Sequence, residues 1–161
     1  MKRSYILVGL VAVAALVLVG ASVFRTGPSS AAAEEGQMLP YRDAKAVKLG
    51  QEIYAENCAS CHGTNLEGQP DWQGRDEDGY LLAPPHDATG HTWHHADALL
   101  IDITTRGSAA VIGGGYQSRM PGFGDSLTEA QILAVLAYIK STWPDKIIEA
   151  HDDLNRRLSS D

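Results

Sequence analysis

Cys58-Ala59-Ser60-Cys61-His62 constrains this chain more than any other segment. The C-x-x-C-H spacing is that of a covalently attached c-type haem. Two thiols this close can add to the two vinyl groups of one porphyrin. The next residue, His62, then falls under the iron as the proximal ligand. Cys58 and Cys61 are the only cysteines in the 161 residues, so no other thiol pair competes for the role. A redox C-x-x-C would sit at a strand-to-helix turn in a βαβ pattern. Here an amphipathic helical stretch leads into Cys58, with no strand pattern nearby. A zinc site would need more soft ligands.

Three helical patterns surround the motif. Over residues 43–57, Val47, Gly50, Ile53 and Tyr54 recur at helical spacing, with Lys45, Lys48, Glu52 and Glu56 on the other side. Gly50 in mid-helix costs about 1 kcal/mol relative to alanine, a cost that close approach of another helix would explain. A shorter helix is expected over 95–106, with Gly107 just past its end. The last core helix follows a capping box outlined by Thr128 and Gln131, with Leu127 and Ile132 placed as a staple. Ile132, Leu136, Ile139 and Trp143 then share a face, and Pro144 stops the helix. No strand of convincing alternation and no repeat is visible. The expected class is all-α.

A second iron ligand separates electron transfer from gas or peroxide chemistry, because two strong ligands saturate the metal. The chain holds three methionines, Met1, Met38 and Met120. Met120 lies in Met120-Pro121-Gly122-Phe123, in an irregular glycine-containing approach to the last helix, and is the expected sixth ligand. A merely packed methionine is the competing reading. Thioether ligation stabilises ferrous iron and raises the potential. Gly113-Gly114-Gly115 lacks the lysine and the strand-to-helix context of a phosphate loop. His86, His91, His94 and His95 form a second histidine group. Hydrogen bonding to backbone or cofactor is their expected role, with an alternative axial ligand or a copper or zinc site as rivals.

The two ends read differently from the middle. Lys2-Arg3 precede an apolar, uncharged run over residues 5–24. That run reaches the roughly 20 residues of a membrane span, and the basic residues before it predict an exported C-terminal part. A cleaved signal peptide is the rival, but its apolar core should be about 7–15 residues. Residues 1–25 are therefore expected as an anchor and 26–40 as a flexible tether, with a reach of roughly 20 Å. Residues 41–144 form the domain, and 145–161 a polar amphipathic tail in which Ile147, His151, Leu154 and Leu158 share a face. The formal net charge of −7 disfavours nucleic acid or an anionic membrane surface as partner.

Over residues 44–143 the chain resembles the class I c-type cytochromes of bacteria in a membrane-anchored form. The motifs are Cys58-Ala59-Ser60-Cys61-His62-Gly63, Met120-Pro121-Gly122-Phe123 and Leu136-Ala137-Tyr138-Ile139-Lys140. The resemblance implies a small all-α fold wrapped round one covalent haem c. Its first and last helices would cross at Gly50 and Tyr54 against Val135 and Tyr138. It also implies a proline carbonyl bonded to the proximal imidazole, with Pro84 expected and Pro85 next to it, and a tryptophan, Trp93, donating to a haem propionate. Residues 71–82 and the glycine-rich loop before Met120 depart from the small mitochondrial type. The implied function is one-electron transfer in a respiratory chain, not catalysis. Expected partners are a quinol-oxidising complex, a dehydrogenase or a terminal oxidase, with the haem domain on the periplasmic side of the inner membrane. A permanent haem subunit of a larger complex, and a sensor or peroxidase with a labile Met120, are the alternatives.

Overall fold

The structure is a computed structural model that describes residues 39–160. The expected anchor over residues 1–25 lies outside the described residues, as does the tether up to residue 38. No helix among the described residues is long and apolar enough to cross a membrane. The described residues form helices and loops without a strand; an isolated bridge joins Arg75 and Leu81.

Helix α1 (Ala44–Asn57) starts where Asp43 accepts a hydrogen bond from the Lys45 amide at 2.8 Å. Such a cap satisfies one of the four unpaired amides of a first turn. α2 (Ala59–His62) is a single turn. A 3₁₀ turn at Thr92–His94 precedes α3 (Asp97–Arg106) and α4 (Ser108–Ile112). The expected start of α3 at His95 moves to Asp97, because His95 is extended and closes the 3₁₀ turn instead. Gly107 follows α3 with φ 83°. α5 (Glu129–Ser141) begins at Thr128 with both arms of the capping box made. α6 (Asp145–Ser159) ends the described chain.

The core joins α1 to α5. Ile53 and Tyr54 pack with Ile132, Val135, Leu136, Ile139 and Trp143. The helices touch at Gly50, where a side-chain carbon would lie 1.9 Å from the carbonyl oxygen of Ala134. Tyr54 and Tyr138 meet at 5.5 Å between ring centroids. Apolar burial of this kind supplies about 25 cal/mol per Å² and is what holds short helices that are marginal alone.

Two expected boundaries change. Leu39 is 1% exposed and belongs to the core, so the packed domain begins within the stretch read as tether. Residues 145–160, expected as a polar amphipathic tail, lie packed on the domain, where α6 buries His151 and Asn155. Polar partners account for this. The Asn155 side-chain oxygen accepts from the Asp97 amide at 2.8 Å, and Lys140 Nζ donates to Asp152 at 2.6 Å. Leu158, at the end of the expected apolar face, remains exposed.

His151 adds a pH dependence. Its Nε2–H donates to the His95 carbonyl at 2.8 Å, leaving Nδ1 buried and without a partner. Burial, then the Lys140 ammonium, holds this imidazole below its ordinary 6.5, against the pull of Asp97, the His95 carbonyl and Asp152. The unfolded chain therefore binds a proton that the fold does not, so stability rises with pH in that window. Stability is expected to fall as pH drops below about 6.5. His151→Gln, which keeps an N–H donor, should flatten the slope in denaturant titrations at several pH values. An unchanged slope would mean that His151 binds its proton equally in the folded and unfolded chain.

Candidate cofactor site

The site is built from the end of α1 outward. Tyr54, buried by the α5 contact, donates its hydroxyl to the Gly63 carbonyl at 2.8 Å. That bond ties the residue after Cys58–His62 to the helix crossing. One residue, Cys58, separates α1 from α2, and Cys61 and His62 lie on the next turn. Both cysteines are free thiols; Cys58 is half-buried and Cys61 exposed. Burial, with Cys61 close by, pushes the Cys58 thiol up to about 11. A redox dithiol needs the opposite, a thiolate stabilised near neutrality. Cys58 is therefore not suited to be the attacking thiolate of such an exchange.

His62 is buried, and its Nδ1 lies 2.8 Å from the Pro84 carbonyl oxygen. A carbonyl only accepts, so Nδ1 carries the proton and Nε2 keeps its lone pair. Burial lowers the His62 pKa, partly opposed by that same hydrogen bond, and the ring stays neutral. Such an outer bond orients a ligand ring and raises its basicity. The chain brings Pro84 there by pairing residues 66–69 with 83–86. Gln69 N donates to Ala83 O at 2.9 Å, and His86 N to Leu66 O at 2.8 Å. Gly68 permits the approach: it sits at φ 71°, and a side-chain carbon there would lie 2.5 Å from Pro85 N. The neighbouring Pro85 carbonyl is instead approached by the Thr92 hydroxyl at 3.4 Å.

Within the second histidine group His91 meets the His95 ring edge-on at 5.3 Å, while His86 turns to His62. His86 stacks on His62 with centroids 4.0 Å apart, and its Nδ1 pairs with the Thr92 hydroxyl at 2.8 Å. Burial, with His62 and His91 nearby, keeps it well below the ordinary imidazole range. His91 stacks on Trp72 at 5.3 Å. Among the described residues no three His, Cys, Asp or Glu side chains gather in a metal-binding group. The place of His86 beside His62 was not visible in the sequence, where it read as one of four similar histidines. Its carbonyl also accepts from Trp143 Nε1 at 2.8 Å, which links the segment just after α5 to the same loop.

Met120 is half-buried. The residues after it are pinned to the end of α3, with Phe123 N donating to Thr104 O at 2.9 Å and Gly124 N to Thr105 O at 3.0 Å. Trp93 stacks on His94 at 3.7 Å, and its Nε1 is buried without a partner. A buried N–H of this kind costs free energy unless a bound group accepts from it.

These features suit a haem. Two free thiols flank one helical turn, a neutral imidazole offers Nε2, and an orphaned indole N–H awaits an acceptor.

Comparison with known proteins agrees with this arrangement. A cbb3-type cytochrome c oxidase subunit FixP from Sinorhizobium medicae is 31% identical over 96 residues, covering 60% of this chain and 30% of that protein. A subunit CcoP of the same oxidase type from Azospirillum brasilense is 33% identical over 98 residues, covering 60% and 28%. One from Rhodobacter capsulatus is 29% identical over 102 residues, covering 63% and 31%. The chain thus spans less than a third of the length of these curated relatives. No solved structure matches it. The family model described as Cytochrome c matches residues 47–143, a span that holds Cys58, Cys61, His62, Pro84, Trp93 and Met120 alike. On the strength of that match the chain belongs to the cytochrome c family, as a class I c-type cytochrome.

Proposed function

We propose that this chain is the electron-transferring haem subunit of a membrane terminal-oxidase complex. The observation that carries the reading is the His62–Pro84 bond at 2.8 Å, which leaves Nε2 available beside Cys58 and Cys61. Cys58 and Cys61 would hold one haem c through thioethers, and His62 and Met120 would ligate its iron. When bound, the haem supplies a one-electron Fe(III)/Fe(II) couple. The protein's own work is to hold ligands and exclude water. Pro84 fixes the His62 ring, and Trp93 offers Nε1 to a propionate. The α1–α5 core limits rearrangement around the site.

Association with an oxidase is supported by these relatives, which are subunits of cbb3-type oxidases. It favours a lasting subunit over a carrier that exchanges partners, though both use the same chemistry. The apolar run over residues 5–24 supports anchoring, with the domain on the periplasmic face.

Absorption spectra of the ferric and ferrous holoprotein, with and without carbon monoxide, test the site. Unmodified protein is expected to show the weak near-infrared band of Met–Fe(III) ligation and little response to carbon monoxide. Met120→Ala should abolish the band and bind carbon monoxide at once. Immediate carbon monoxide binding by the unmodified protein would support the sensor or peroxidase reading instead. Extraction of membranes in mild detergent tests the subunit reading. Co-migration with oxidase activity is expected, and migration alone would return the chain to the role of carrier.

A further inference from the structure

The two sides of Met120 are anchored unequally. Beyond it, Phe123 and Gly124 bond to the last turn of α3. Before it, Gly113, Gly114 and Gly115 all have positive φ, at 69°, 59° and 81°, with no other heavy atom within 4 Å of where a side-chain carbon would sit. Three successive residues without side-chain packing leave the backbone little to resist motion. Among the described residues, no hydrogen bond from residues 114–118 reaches outside 113–120.

Arg119 is the exception in this approach. Its Nε donates to Asp76 Oδ2 at 2.7 Å, and its Nη2 to Asp78 Oδ2 at 2.5 Å. The guanidinium carbon lies 4.4 Å from the centroid of the Tyr80 ring. These partners are more than 38 residues away and belong to the segment that departs from the small mitochondrial type. They are also preformed. Asp76 Oδ1 accepts from the amides of Asp78 at 3.0 Å and Tyr80 at 2.9 Å, so its other oxygen is presented to Arg119. The Asp76 amide donates to the Tyr80 carbonyl at 2.8 Å, and Arg75 Nη1 to the Gly79 carbonyl at 2.7 Å. A planar fork that meets two carboxylates and a ring face is a task for arginine and not for lysine.

We propose that Arg119, clasped by Asp76, Asp78 and Tyr80, is a positioning residue that holds Met120 in place and sets how readily the sixth iron position opens. This rests on Met120 being the sixth ligand. Exposed ion pairs contribute little to global stability, so the clasp acts locally, on a segment that glycine has left slack. Its removal raises the population in which Met120 is displaced, and the apparent affinity for an external ligand rises in proportion.

Ferric holoprotein titrated with imidazole tests it, with the near-infrared band and the thermal midpoint recorded for each variant. Arg119→Ala is expected to bind imidazole about tenfold more tightly, a coupling of the usual size, and to weaken the band. Asp76→Asn with Asp78→Asn should do the same, and Arg119→Lys should fall between. Combining Arg119→Ala with both asparagines should add nothing, because the three residues share one contact. Imidazole affinity unchanged in Arg119→Ala, with the band intact in the unmodified protein, overturns the clasp alone. Effects that sum in the triple variant also overturn it. Absence of the band in the unmodified protein overturns Met120 ligation, and the clasp with it.

Discussion

Gly50→Ala is expected to destabilise the holoprotein by about 3 kcal/mol, near the upper end for overpacking a core. On an exposed helix the same change would stabilise by roughly 1 kcal/mol through helix propensity. Here the added carbon would lie 1.9 Å from the Ala134 carbonyl oxygen, 2.5 Å from its carbon and 2.9 Å from Tyr138 Cβ. Two of those atoms are backbone, so no side chain can swing aside. α1 and α5 would have to separate, and with them Tyr54 would lose its place under Tyr138 and its bond to the Gly63 carbonyl. The damage therefore reaches the turn that carries Cys58 and His62. Guanidinium unfolding, with the yield of covalent haem as second readout, checks this. A gain in stability would mean that the helices do not cross at Gly50.

Lys140→Ala should cost a comparable amount, about 3–5 kcal/mol, as expected when one partner of a buried ion pair is removed. Lys140 is fully buried, with Nζ 2.6 Å from Asp152 Oδ1 and 4.0 Å from Asp97 Oδ1. Asp97 is also fully buried, and neither of its oxygens has a hydrogen-bond partner. Without the ammonium, Asp97 would keep only His151 Nε2, 3.5 Å away. Asp152 would keep the Tyr41 hydroxyl at 2.9 Å. Lys140→Met, which preserves the stem but not the charge, separates packing from electrostatics. Denaturant midpoints at constant pH read both variants, and losses below about 1 kcal/mol, the range of exposed pairs, would mean that α6 is held by other contacts.

How much of this was legible in the chain depends on the range of each signal. The C-x-x-C-H spacing, the Thr128–Gln131 box and Gly107 after α3 act within one or two turns, and each stands where local pattern places it. The α1–α5 crossing was foreshadowed by a glycine that a helix tolerates only at a cost. α6 was under-read because its buried positions are His151 and Asn155, which carry no apolar signature. Lys140 was legible only as the end of the last-helix motif, yet it is fully buried and donates to Asp152 of α6.

Alone, the sequence determined the cofactor class, the helical periodicity and the caps, because those depend on residues that are neighbours in the chain. Tertiary structure decided that the Pro84 carbonyl meets His62 while the Pro85 carbonyl faces Thr92, and that His86 leaves the histidine group to stack beneath His62. It also decided that Arg119 reaches Asp76 and Asp78 across more than forty residues, and that Tyr41 reaches Asp152 across more than a hundred. Hydrogen-bonding residues of this kind have many acceptable partners in the unfolded chain. Which one each meets is settled only when apolar burial has packed the helices and brought particular backbone and side-chain atoms within 3 Å.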